Sequence, residues 1–401
     1  MNTAERSNVV LILFDSLGMH ALQSCKDKLP NLSRLQASSV TFTNAFSCSP
    51  ESGPSRASLF TGLDMSAHGV WTDGVTLPKR EITMPEVFQR SGYQTWLVGR
   101  RQLAGVSNWT TEHTRPHEYH HFDWAHGPLH RSRQNAYLAW LQEHHPTENN
   151  AIFPKQADPD DTVIRPWQRK AMMDLPSALS FNSWVGAQFL ERLSSCEATP
   201  FFGVASFVVG DSGGARAADI DYFEGLDASA LALADKAVGK ILEILPADTI
   251  VVLTAGRGTD ASTHVPLSIR MPDQPSAKIH GLVSSMDIAP TLYDATRIVR
   301  PQRIQGQNLL TTPPRDWALT RLRHPDRPHE TELRTKDWQI TMIQTQGKLS
   351  YQLYDRNADP DATHNLANDP DHAETLERTI DFMIDSRVAL EDRTEPRIAK
   401  F

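Results

Sequence analysis

Cysteine is scarce in this 401-residue chain, with only Cys25, Cys48 and Cys196. They are odd in number, far apart and never spaced as Cys-x-x-Cys, which argues against a disulfide framework or a zinc site. A membrane-length apolar run is missing at the N-terminus, where Val9–Phe14 is stopped by Asp15. That run is too short for a signal or spanning segment and reads as a buried strand. The chain is therefore expected in the cytoplasm, or in the periplasm if a leader has been removed. An excess of positive charge is also missing: 40 Lys and Arg stand against 48 Asp and Glu, for a net charge of −8. This speaks against nucleic acid or an anionic membrane as partner. Neither an internal repeat nor a low-complexity tract is present.

What is present is an ordinary globular composition, 39% hydrophobic and 22% charged, on a chain long enough to bury a large core unaided. Val9–Phe14 ends in Asp-Ser-Leu-Gly, as a parallel strand does when its C-terminal end delivers polar residues to a crevice. Helical stretches are predicted at Pro30–Gln36 and Thr83–Arg90, the latter with Pro85 in its first turn and Gly92 just past its end. Gln94–Val98, Phe201–Val209, Thr249–Leu253 and Pro266–Arg270 read as strands, and Leu179–Leu193, Leu231–Leu245 and Ser284–Asp294 as helices. Residues 102–175 read as loop-rich. This alternation implies an α/β sandwich with a mostly parallel sheet. A polar linker at Thr311–Arg315 divides residues 1–310 from 311–401. In the second part Trp338–Gln344 and Tyr351–Tyr354 alternate like antiparallel strands, and His372–Arg387 reads as a closing helix.

Four segments together resemble the sulfatase family of the alkaline phosphatase superfamily. Pro50-Glu51-Ser52-Gly53-Pro54-Ser55-Arg56, continuing to Thr61-Gly62, is similar to the family's (Cys/Ser)-x-Pro-x-Arg nucleophile element. Pro30–Leu35 with Val40–Phe46 is similar to the helix and strand that lead into it. Gly92–Thr95 with Val98-Gly99-Arg100, and Leu353-Tyr354-Asp355 with Asp359-Pro360-Asp361 and Asn365-Leu366-Ala367, complete the set. The resemblance implies an alkaline-phosphatase-like α/β domain followed by a small four-stranded antiparallel domain with one helix.

It also implies a chemistry. Sulfate-ester hydrolysis needs charge neutralisation, a strong nucleophile and an acid for the leaving alcohol. The family supplies these with a formylglycine made from Cys or Ser and a divalent cation, usually calcium. Ser52 stands at the nucleophile position, at a helix start whose N–H groups and dipole favour an anion. Arg56 would hold the nucleophile and the metal-site carboxylates, and Arg100 keeps the charge of a family lysine. The family's metal site begins with Asp-Asp, here Asp15 and Ser16. Its second ligand pair follows a later strand, where this chain has Gly256 and Arg257. Asp260 is at the wrong spacing to substitute. Calcium and magnesium want several anionic oxygens, so the cation site is expected to be incomplete. Arg257 reads first as a surface arginine in a drifted loop; the competing reading puts its guanidinium in the metal's place, facing an anion. A family histidine is replaced by Gln102, another is missing near Val208–Asp211, and His264 stands near the position of a substrate-side lysine. Gln102, His264 and Arg257 are taken as substrate-side candidates.

Two further features stand apart from that element. His113, His117, His120, His121, His126 and His130 crowd one segment, with His117 and His121 spaced for one helix face. They read first as surface packing, and otherwise as a transition-metal site. Arg101 reads as solvated. The function expected is thus a sulfatase-family pseudoenzyme, with weak or lost catalysis, that keeps a crevice for an anionic small molecule around Ser52 and Arg56. The alternatives are an active sulfatase with Ser52 matured to formylglycine beside calcium or another divalent cation, and a phosphomonoester or phosphonate hydrolase using Ser52. Homo- or hetero-oligomers are compatible with either.

Overall fold

Val9–Ser16 (β1) is buried at every position. That pattern requires neighbours on both edges and cover on both faces. A computed structural model supplies them and describes residues 6–105, 110–154, 164–196, 200–209, 227–259 and 262–391. The remaining strands of the large sheet are β2 (Val40–Phe46), β3 (Gln94–Gly99), β4 (His121–Trp124), β5 (Phe201–Phe207), β6 (Ile250–Arg257), β7 (Leu267–Arg270) and β8 (Ala277–Ser284). Their order is β4-β3-β5-β1-β6-β7-β2-β8. Every pairing is parallel except those of β7 with β6 and β2.

Helices cover both faces. Neighbouring residues of a strand point to opposite sides. Phe201 meets Trp96, which in turn meets Phe189 of the helix Phe181–Ser194, whereas Phe202 stacks on Phe88 of the helix Met84–Arg90. Helix Asp227–Ile244 packs on Phe181–Ser194 and on Pro30–Ala37. There the Asp235 carboxylate accepts the Asn31 and Leu32 N–H groups at 3.1 and 2.8 Å, capping a helix that has no cap of its own.

The second sheet is antiparallel, in the order β12-β11-β10-β9. Its strands are β9 (Trp317–Leu322), β10 (His329–Thr335), β11 (Trp338–Thr345) and β12 (Lys348–Asp355). Leu319, Leu333, Ile340 and Leu353 form its core with Met383 of the helix Ala373–Ala389 and with Cys48. Thr320 Oγ1 donates to the Ser47 carbonyl at 2.9 Å, and Arg321 N–H to the Cys48 carbonyl at 2.9 Å. The small sheet therefore fixes the segment that enters the Ser52 loop.

The α/β class and the antiparallel appendage agree with expectation. Three differences have local causes. Residues 102–175 carry strand β4 and helices Ala136–His144, Pro146–Ile152 and Pro166–Met173; their short lengths and the intervening prolines hid the periodicity. β8 and β10 lack a readable alternation because polar residues occupy their half-exposed faces, and β9 because the buried Thr320 and Arg321 interrupt its apolar run. His117 lies in a turn with φ +59° and His121 opens β4, so the two share no helix face. Among the described residues no helix is long and apolar enough to cross a membrane.

Candidate functional site

Parallel strands bring their C-terminal ends to one edge, and polar residues at those ends converge. In β1 and β6, Ser16 is in register with Arg257 and Phe14 with Ala255. Asp15-Ser16 therefore lies beside Gly256-Arg257. β3 ends at Gly99, with φ +103°, where a side chain would meet the Ser206 carbonyl at 2.2 Å. Only glycine makes that approach, and it turns Arg100 into the same edge. Helix Ser52–Thr61 completes the group, buried at every position and ended by Gly62 in the left-handed conformation.

Asp15 is 0% exposed. Arg56 Nη2 donates to its Oδ1 at 3.2 Å and Arg100 Nη1 to its Oδ2 at 2.6 Å. Burial alone would raise this carboxyl, but the charges of Arg100, Arg56 and Arg257 outweigh it and hold it below the usual carboxylate range. Arg56 also donates through Nη1 to the carbonyls of Arg100 and Arg101, at 2.7 and 3.3 Å. A side chain added at Gly256 would stand 3.2 Å from Arg56 Nε, so Arg56 closes the space at that position. Burial and the neighbouring Arg100 lower the Arg56 pKa despite the pull of Asp15.

Ser52 is 3% exposed, and Arg257 Nε donates to its Oγ at 3.2 Å. Arg257 Nη1 reaches the Gly258 carbonyl at 3.3 Å, while Nη2 is buried with no hydrogen-bond partner among the described residues. Arg257 is itself 3% exposed, which overturns its reading as a surface arginine: the strand continues through residue 257 and carries the side chain inward. Ser16 Oγ donates to the Gly258 carbonyl at 3.0 Å. Among the described residues, no group of three or more His, Cys, Asp or Glu side chains is placed to hold a metal ion.

The structure thus assembles Asp15, Ser16, Ser52, Arg56, Arg100, Gly256 and Arg257. It does not bring His264 to them. That imidazole hydrogen-bonds the Thr43 carbonyl at 2.7 Å and stacks on Phe46, lining a separate cleft of about 820 Å³ toward the small sheet. Gln102 is half-buried at φ +59°, its N–H held by Glu112 Oε2 at 2.8 Å, and its Oε1 has no partner among the described residues. Arg101 is not solvated: it is 2% exposed and ion-paired with Glu112 and Glu118 at 3.1 and 2.7 Å. His126, whose carbonyl accepts from Arg100 Nε, is kept neutral by burial and then by the nearby arginine. Gly210–Gly214 and Asp260 lie outside the described residues.

Two carboxylates beside Ser52 were not anticipated. Asp73 Oδ1 accepts the Gly53 N–H at 2.6 Å, and Glu51 is buried immediately before the serine. An acid at a helix start is a readable signal for Glu51. Nothing in the order of residues marks Asp73, which arrives by the return of a loop.

Two family models match the chain: sulfatase over residues 7–137, and N-sulphoglucosamine sulphohydrolase, C-terminal, over residues 259–388. An ulvan-active sulfatase of Formosa agariphila is 26% identical, covering 96% of this chain and 81% of its own. The uncharacterized sulfatase YidJ of Escherichia coli is 23% identical over 95% of this chain and 87% of its own. In fold, the phosphonate monoester hydrolase SpPMH of Silicibacter pomeroyi superposes with a TM-score of 0.77 at 19% identity, covering 97% and 96% of the two chains. Sequence, site elements and fold agree, and the chain belongs to the sulfatase family of the alkaline phosphatase superfamily.

Proposed function

We propose that this chain is an anion-binding member of the sulfatase family in which guanidinium groups stand in for a divalent cation, and in which sulfuryl transfer is weak or lost. One observation carries the reading: Arg257 reaches Ser52 Oγ from the strand end where the resemblance expects metal ligands. The donor set beside it does not fit calcium or magnesium, which take six or more oxygens, carboxylates prominent among them. Both Asp15 oxygens are held by arginines, Gly256 offers no side chain, and Arg257 is a cation.

This arrangement binds more readily than it reacts. Arg56, Arg100 and Arg257 place three guanidinium groups around one carboxylate, leaving positive charge for a sulfate or phosphate ester. Arginine does not give up its proton in proteins, so Arg257 cannot act as a base. The Ser52 hydroxyl accepts from Arg257 and has no acceptor hydrogen-bonded to it among the described residues. Its proton is thus free to donate to an anion, and nothing there removes it to make a nucleophile.

The test combines three measurements on the full chain. Calorimetry should detect inorganic sulfate or phosphate binding that Arg257→Gln weakens by about 10- to 100-fold. Mass spectrometry of the Ser52 peptide should find unmodified serine. Turnover of an aryl sulfate should stay at background whether calcium or chelator is added. Chelator-sensitive turnover would overturn the reading in favour of an active sulfatase with Ser52 matured to formylglycine, which the intact Ser52–Arg56 element supports.

A further inference from the structure

The buried group that Arg257 joins at Ser52 holds acceptors as well as donors. Glu51 Oε1 accepts the Thr72 hydroxyl at 3.2 Å, but Oε2 is buried with no hydrogen-bond partner among the described residues. Burial, and then the charge of Asp73, push the Glu51 carboxyl up to about 7, against a weaker opposing pull from Arg327. Asp73 is raised as well, by burial first and by Asp15, against the pull of Arg257 and Arg100. Its carboxylate sits so close over the helix start that a side chain at Gly53 would meet Oδ1 at 2.7 Å. Ser52 Oγ therefore has a guanidinium on it, and the next amide in the chain has a carboxylate on it. Arg257 Nη2, buried and unpartnered, supplies the open donor beside these acceptors.

An oxyanion seated at Ser52 has to satisfy both. A sulfate ester has only acceptor oxygens at neutral pH, so a facing carboxylate meets it lone pair to lone pair and charge to charge. A phosphate monoester loses its second proton near pH 6, and its monoanion carries a P–OH that a carboxylate accepts. Resting on the anion-binding reading above, we propose that this site selects an oxyanion bearing its own proton, a phosphate monoester or free phosphate, over a sulfate ester, with Asp73 accepting the P–OH hydrogen bond. A hydrogen bond between a buried carboxylate and a matched donor changes affinity by roughly tenfold or more.

The test titrates the full chain by calorimetry at about pH 6.5, where the P–OH form is populated, with inorganic phosphate and sulfate, then phenyl phosphate and phenyl sulfate. The expected result is phosphate binding tighter than sulfate by roughly tenfold or more. Tighter phenyl phosphate identifies an ester as the preferred source, and tighter inorganic phosphate the free ion. In Asp73→Asn the amide oxygen keeps the Gly53 N–H and the NH₂ offers sulfate a donor, so the ratio should collapse mainly through gained sulfate affinity. Asp73→Ser, which also removes the carboxylate, should move the ratio the same way, and it carries the test if the first variant does not fold. Equal affinities in the wild type, or a ratio unchanged by both substitutions, would overturn the selectivity while leaving an anion site standing. Binding of neither anion would sink both.

Discussion

Arg100 and Arg101 are neighbours in the chain and opposites in their surroundings. Arg101 is one guanidinium between two carboxylates, Glu112 and Glu118, and its pKa is raised because their attraction outweighs burial. Glu118 is in turn held by the Thr83 hydroxyl at 2.9 Å, and Glu112 by the Leu103 and Gln102 amides and Trp124 Nε1. That network is closed. Arg100 instead belongs to a group in which Arg56, Arg100 and Arg257 face one carboxylate, Asp15, with an N–H of Arg257 left over. That network is open by one anion. A buried charge cluster that satisfies itself is scaffold, and one with unspent donors is a site.

The largest effect should come from breaking the closed network. Arg101→Met leaves Glu112 and Glu118 buried without their counter-ion, and should lower unfolding free energy by about 3–5 kcal/mol in urea titrations. The folded fraction should keep its anion affinity; losing it would erase the distinction between the two networks. Asp15→Asn comes next, at about 2–3 kcal/mol near neutral pH, because two charge-assisted hydrogen bonds lose their acceptor charge. The folded-state pKa of Asp15 lies below its unfolded value. Its contribution is therefore complete above about pH 3.9 and is lost as pH falls through the lower folded value. The variant should show a shallower acid limb, and an unchanged limb would mean that Asp15 is not held by the arginines.

Arg257→Gln should act on binding instead, weakening sulfate or phosphate by about 10- to 100-fold in calorimetry with little loss of stability. A large stability loss would place Arg257 in the scaffold. Glu51→Gln sharpens the same contrast through pH. Glu51 holds its proton in the folded state up to about 7, against 4.5 unfolded. Wild-type stability should therefore decline as pH rises across that interval, and the variant should not. Urea midpoints at about pH 5 and about pH 8 measure this. The smallest effect is expected from calcium, which should leave the wild-type melting temperature unmoved. The double variant Gly256→Asp with Arg257→Asn, restoring the family's ligand types, should gain a calcium-dependent rise of a few degrees. A calcium-induced rise in the wild type would contradict the guanidinium substitution.

Much of the scaffold was legible because its signals are short-range. The apolar run Val9–Phe14, the helix after Ser52 with Gly62 at its end, and the glycine that closes β3 are written in neighbouring residues. The same holds for the Ser52 element. Arg257 and Arg101 were misread because burial is not a property of a residue and its neighbours. Arg257 is drawn inward by a strand that runs on past the apolar segment, and Arg101 by two glutamates from a segment that looked like loop. His264, close to Arg257 in sequence, faces another cleft because the chain turns back toward β7 between them.

From the order of its residues alone, the chain settles an α/β sheet, an antiparallel appendage and a serine at a helix start, since periodicity, capping and turn chemistry act over a few positions. The tertiary structure decides the charge balance: that Ser16 stands beside Arg257, that one aspartate serves several arginines, and that Asp73 returns over Gly53. Those pairings follow from strand order, register and loop return. Electrostatics works through space, so which charges find partners is set by where the fold closes.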